Sequence, residues 1–161
     1  MLDVCLIAKE YSTEYIRFNR IQRDFTEEKT DIVGYSSLYI RNNFRQMLQN
    51  YAKKHGIKCK CIRCREVKKN KVVYPTLHQQ EYDSSGGKEI YISMDSNDRK
   101  LLYGFIRLRL QNSSIFKELN GFALIRELHV YGFLQTTNLK KSKQSQVQHR
   151  GFGKLLVRKA E

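Results

Sequence analysis

From Val72 to Gly132 the chain runs through four alternating segments, "VVYPTLHQQEYD", "KEIYISMD", "LLYGFIRLRLQ" and "FALIRELHVYG", separated by "SSGG", "SNDR" and "NSS". β-Branched and aromatic residues at period two, punctuated by turn-forming clusters, are the pattern of half-buried strands joined as an antiparallel meander. In "FIRLRL" the pleat sends Ile106, Leu108 and Leu110 to one face and Arg107 and Arg109 to the other. No internal repeat accompanies this pattern.

The first half of the chain has a different texture. Between Ser37 and His55 the residues Phe44, Met47, Leu48 and Tyr51 fall at helical spacing, and Gly56 stands where a left-handed C-terminal cap is expected. Upstream lie a short apolar run, "LDVCLIA", and "YIRFNRIQRDF", in which Ile16, Phe18 and Ile21 alternate with Arg17, Arg20 and Arg23. One side of that element is expected to bury while its arginines stay outside. The polar stretch "LQTTNLKKSKQSQVQ" reads as a mobile loop ahead of a final helix.

Charge narrows the class of partner. The 161 residues carry a formal net charge of +14 and a pI near 9.7, a field that draws in polyanions, with nucleic acid the leading one. The charge is concentrated between Arg41 and Lys71, where eleven Lys or Arg face a single acid, Glu66. No apolar run approaches the roughly 20 residues needed to cross a bilayer, and the opening "MLDVCLIAKEYSTEY" lacks the shape of a signal peptide. A soluble protein of cytosol or nucleus, without a membrane partner, is the expectation.

Three of the four cysteines sit within six positions, "CKCIRC", as Cys59, Cys61 and Cys64. Thiols so close fit metal ligation in a reducing compartment better than a secreted disulfide framework. They could converge on one zinc at about 2.3 Å each, with a fourth ligand drawn from Cys5, His55, His78 or His129. Iron–sulfur ligation and unligated thiols remain the alternatives.

Two further constellations carry chemistry. Gln148-His149-Arg150-Gly151-Phe152-Gly153 fits Q/R-x-x-G-x-G between a strand and an apolar-periodic segment with Leu155 and Leu156. Such glycines let successive N–H groups approach a pyrophosphate at the positive end of a helix, a chemistry that suits coenzyme A. In "IRELHVYG", Glu127 and His129 alternate onto one face with Ile125 and Tyr131, and Leu128 and Val130 onto the other. Either polar residue could serve as a general base near a thioester, or the pair could be a hydrogen-bonded element of the sheet. The strand's backbone could equally receive a pantetheine arm.

Six motifs, "RFNRIQRDF", "NNFRQM", "GIKCKCIRCREV", "GFIRLRL", "LIRELHVYG" and "VQHRGFGKLL", occur here in the order found in the Elongator catalytic subunit, a family that the chain resembles from about Ile16 to Glu161. That family joins a radical S-adenosylmethionine domain to a GNAT acetyltransferase domain and carries out 5-carboxymethylation of tRNA wobble uridines with acetyl-CoA. The resemblance implies an α/β (α+β) fold with three parts. Residues 1–55 would be the tRNA-facing C-terminal end of the radical domain, 56–70 a cysteine-rich zinc linker, and 71–161 a partial GNAT domain with an antiparallel sheet and a pyrophosphate-loop helix.

The same resemblance implies site residues. Arg20, Arg23, Arg41, Arg45, Lys53 and Lys54 would meet tRNA, and Cys59, Cys61 and Cys64 would hold zinc. Glu127, Leu128, His129 and Val130, with Gln148, Arg150, Gly151, Phe152, Gly153 and Lys154, would hold acetyl-CoA, Glu127 and His129 also acting in catalysis. The iron–sulfur cysteines that serve S-adenosylmethionine and a 4Fe-4S cluster would precede Met1, and the family's "YY" pair would follow Glu161, so a fragment is expected. Expected partners are tRNA, acetyl-CoA, other Elongator-type subunits and a polypeptide that completes the sheet. A zinc-stapled RNA-binding module without catalysis is the second reading, and a protein-lysine acetyltransferase the third.

Overall fold

A computed structural model describes residues 2–19, 21, 44–111, 113–131 and 151–161. In order these form α1 (Leu2–Glu10), α2 (Phe44–Lys54), the single turn α3 (Ile62–Arg65), β1 (Pro75–Ser84), β2 (Gly87–Ser96), β3 (Leu102–Gln111), a 3-10 turn at Lys117–Leu119, β4 (Ala123–Val130) and α4 (Phe152–Ala160). The chain divides into two units, residues 1–64 and 65–161. Among the described residues no helix is long and apolar enough to cross a membrane.

The first unit is built on α1 against α2. Leu6, Leu48 and Ala52 form its buried centre, with Leu2, Cys5, Ile21 and Ile57 packed around them. Phe44, Leu48 and Ala52 repeat every four residues, so this ridge of α2 turns inward and Tyr51, expected on the apolar face, stays exposed beside His55 at 4.3 Å between rings. Gly56 follows α2 at φ +72°, the left-handed geometry expected of it. Of the interleaved "YIRFNRIQRDF" the described part lies outside helix and strand, and the Ile16 carbonyl accepts the Ile62 N–H at 2.9 Å. Arg20, Arg23 and Arg41 fall outside the described residues, as does the loop from Leu134 to Gln148.

The second unit is the expected antiparallel meander, ordered β1-β2-β3-β4. Ser84 pairs with Gly87 across a two-residue turn, Ser85 and Gly86, whose φ values of +44° and +73° match the primed turns that follow the right-handed twist of a hairpin. One sheet face carries Ile92, Ile106 and Leu108 with Ile90 and Val130, and α4 covers it through Leu156, Val157 and Ala160. Fully burying a side chain such as Leu156 stabilises by about 1.5–3 kcal/mol, which holds a nine-residue helix too short to persist alone.

The opposite sheet face is polar and aromatic. Glu89 is buried at its centre and draws on all four strands: Tyr82 Oη of β1 donates to it at 2.7 Å, Arg107 and Arg109 of β3 stand 3.7 and 3.9 Å away, and Arg126 of β4 ion-pairs with it. Arg109 also donates to the Ser84 and Ser85 carbonyls, tying the hairpin turn to β3.

β4 departs from the simple alternation. Arg107 pairs with Glu127 but Leu108 pairs with Ile125, so Arg126 is an extra residue at a bulge. Paired residues share a face, and Ile125 therefore joins Leu108 rather than Glu127 and His129. The bulge corrects the expected grouping because one inserted residue exchanges the faces of everything on its far side.

Candidate functional site

The three clustered cysteines converge. Their Sγ atoms lie within 4.8 Å of one another, Cys61 buried and Cys59 half-buried. Sulfurs bound to a tetrahedral zinc at about 2.3 Å stand about 3.8 Å apart, so the donor set fits a metal of this kind with little contraction. The turn α3 makes this possible, because Cys64 N–H bonds back to the Cys61 carbonyl at 3.0 Å and folds the x-x spacer over the cluster.

Proton affinity within the cluster is strongly split. Hydrogen bonds from the Cys61 and Cys64 thiols, with a smaller one from Ser12, bring the Cys59 thiol far below its usual range despite its burial. The hydrogen bond with Cys59 raises both Cys61 and Cys64.

The proposed fourth ligands fare differently. Cys5 packs into the apolar core between α1 and α2, and His55 is exposed against Tyr51; among the described residues neither joins the cluster. His78 lies on β1 opposite Ser93, and His129 on β4 opposite Phe105. Local spacing gave no sign of two side chains that do reach the sulfurs. Lys9 Nζ lies 3.7 Å from Cys64 Sγ, and Ser12 Oγ lies 3.2 Å from Cys59 Sγ.

A second site gathers at the end of β4. Glu127 and His129 share one face, where the His129 ring stacks on Phe105 at 6.3 Å and meets Tyr131 at 4.4 Å. Val130, on the other face, packs against the core beneath α4. A Cβ built on Gly153 would meet Val130 Cγ2 at 3.7 Å, so the strand residues and the first turn of α4 lie side by side.

The start of α4 suits an anion. Gly151 caps it at φ +78° with no side-chain cap bond, and among the described residues nothing lies within 4 Å of where its Cβ would be. Among the described residues no side chain caps the first-turn N–H groups, the donors that a helix start offers to an anion. Phe152 anchors this turn by stacking on Tyr103 at 6.1 Å, and Lys154 is exposed. Gln148 and Arg150 lie outside the described residues. Of the residues assigned to tRNA, Lys53 and Lys54 are exposed at the end of α2 and Arg45 is half-buried in its first turn.

No protein-family model matches the sequence. The chain is 36% identical over 170 residues to the tRNA uridine(34) acetyltransferase of Methanocaldococcus jannaschii, covering 99% of this chain and 30% of that protein. It is 34% identical over 157 residues to the tRNA uridine(34) acetyltransferase of Dehalococcoides mccartyi, covering 91% and 32%, and 32% identical over 155 residues to human Elongator complex protein 3, covering 91% and 27%. Among solved structures it superposes on the Methanocaldococcus infernus Elp3 lacking residues 1–46, with a TM-score of 0.77 and 29% identity over 99% of this chain and 38% of that one. The chain thus spans about a third of the curated relatives it matches.

Proposed function

The chain belongs to the Elongator catalytic-subunit family, and from that premise we propose that it supplies the tRNA- and acetyl-CoA-binding parts of wobble-uridine 5-carboxymethylation. The reading rests on one observation above the others. The end of β4, with Glu127 to Val130, lies beside the Gly151-capped start of α4, where a Cβ built on Gly153 would meet Val130 Cγ2 at 3.7 Å.

In this reading the backbone N–H groups around Gly151 and Gly153 hold the pyrophosphate, with Lys154 adding charge, and the pantetheine arm runs along β4. Bound there, acetyl-CoA supplies the two-carbon unit. Glu127 and His129, on one face of β4, are the groups positioned to take a proton as the thioester opens. Cys59, Cys61 and Cys64 hold zinc as a structural staple, and the exposed Lys53 and Lys54, with Arg45 and the arginines at 20, 23 and 41, engage tRNA phosphates. S-adenosylmethionine and the iron–sulfur cluster belong to the complete family and are assigned to no residue of this chain.

Titration calorimetry with acetyl-CoA tests the proposal. Saturable binding by the wild-type chain, weakened at least tenfold by Gly151→Val, is the expected result, since a β-branched residue resists φ near +78°. Absence of heat at millimolar ligand sinks it.

A further inference from the structure

α1 presents Leu2, Cys5, Leu6 and Lys9 at the i, i+3, i+4, i+7 spacing of one buried stripe, and the last position of that stripe is a lysine. Lys9 is only 4% exposed. Among the described residues its one side-chain partner is Cys64 Sγ, at 3.7 Å. A buried ammonium without a carboxylate is costly unless another negative group faces it. Ser12, three residues on, donates to the Lys9 carbonyl at 2.8 Å and lies 3.2 Å from Cys59 Sγ, so the end of α1 and the residues just past it reach two of the three sulfurs.

We propose that Lys9 is the charge-balancing residue of the cysteine cluster. Three thiolates around a divalent cation leave one net negative charge, and the Lys9 ammonium offsets it inside the fold. This rests on the reading of the cluster as a metal site and adds what fixes its affinity. Lys9 is a positioning residue: it acts on the metal through Cys64, stabilising the thiolate and thereby the loaded state. Among the described residues a cleft of ≈ 250 Å³, lined by Lys9, Lys53, Ile57, Cys59 and Cys64 among others, adjoins this side of the cluster.

The test uses the full chain with zinc and with cobalt(II) as probes. Wild type is expected to bind one zinc in competition with a chromophoric chelator. Lys9→Met, and Lys9→Gln as a second neutral variant, are expected to bind about 10–100-fold more weakly. Their cobalt forms should show thiolate-to-metal bands moved to lower energy, because a sulfur relieved of the ammonium gives up its electrons more easily. Lys9→Arg should restore both readouts toward wild type. Equal affinity with unshifted bands in the neutral variants overturns the proposal, and so does an Arg variant as impaired as they are, which would mark a packing role. A wild-type chain that binds no zinc removes the metal reading itself, a result separable from those two.

Discussion

Arg65 reaches Asp95 at 2.7 Å with both residues buried, and Ser93 donates a hydrogen bond to the second carboxylate oxygen at 2.5 Å. Burial raises the Asp95 carboxyl above its usual range, and the Arg65 charge and the Ser93 bond only partly oppose it. Removing one member of such a pair strands the other charge in a dry interior, so Arg65→Met should cost about 3–5 kcal/mol of unfolding free energy, read from urea midpoints. The sign of the pH dependence follows from the raised value: the folded chain holds the Asp95 proton more tightly than the unfolded one does. The penalty in Arg65→Met should therefore be largest above the folded value and shrink as pH falls through it. A penalty constant from pH 4 to 8 would count against an ionised Asp95. Adding Asp95→Asn to Arg65→Met should recover part of the loss, because the stranded charge is gone.

At the scale of elements, Glu89 is the knot of the sheet, holding Tyr82, Arg107, Arg109 and Arg126 from three other strands. Burial alone would raise its carboxyl, but hydrogen bonds from Tyr82 and Arg126, with the charges of Arg126 and Arg107, leave it lowered. A lowered carboxylate contributes stability that is present above its unfolded value and is lost as pH falls through the folded one. Denaturation across pH 3–7 should show a steep acid-side loss in wild type that Glu89→Gln flattens, with the variant already weaker at pH 7. Leu156→Ala tests the other face, where a cost of about 2–5 kcal/mol is expected as α4 loses its central contact. The strands themselves were legible, since "FIRLRL" alternates cleanly and "SSGG" marks the hairpin turn. The bulge at Arg126 was not, because no local signal marks it and the partner its side chain meets, Glu89, is 37 positions away. The convergence of the three thiols was legible from spacing alone, whereas Lys9 on α1 and Ser12 just past its end lie about 50 residues upstream in sequence and only the fold brings them there.

For the molecule as a whole, a net charge of +14 on 161 residues gives any polyanion a strong non-specific attraction. What separates a tRNA-binding surface from diffuse charge is how binding responds to salt and to single lysines. Neutralising each phosphate releases condensed counterions, so a surface that makes about 6–10 such contacts loses roughly 10³–10⁵ in affinity between 50 and 200 mM salt. Lys53 and Lys54 stand exposed at the end of α2, where the helix carbonyls add no positive field of their own and the lysines must supply the attraction. Filter binding of tRNA over a salt series should give a steep log–log slope in wild type. Each of Lys53→Ala and Lys54→Ala should flatten that slope by about one. Slopes identical to wild type in both variants would move the tRNA contact off α2, and a weak salt response would leave the charge without a nucleic-acid role.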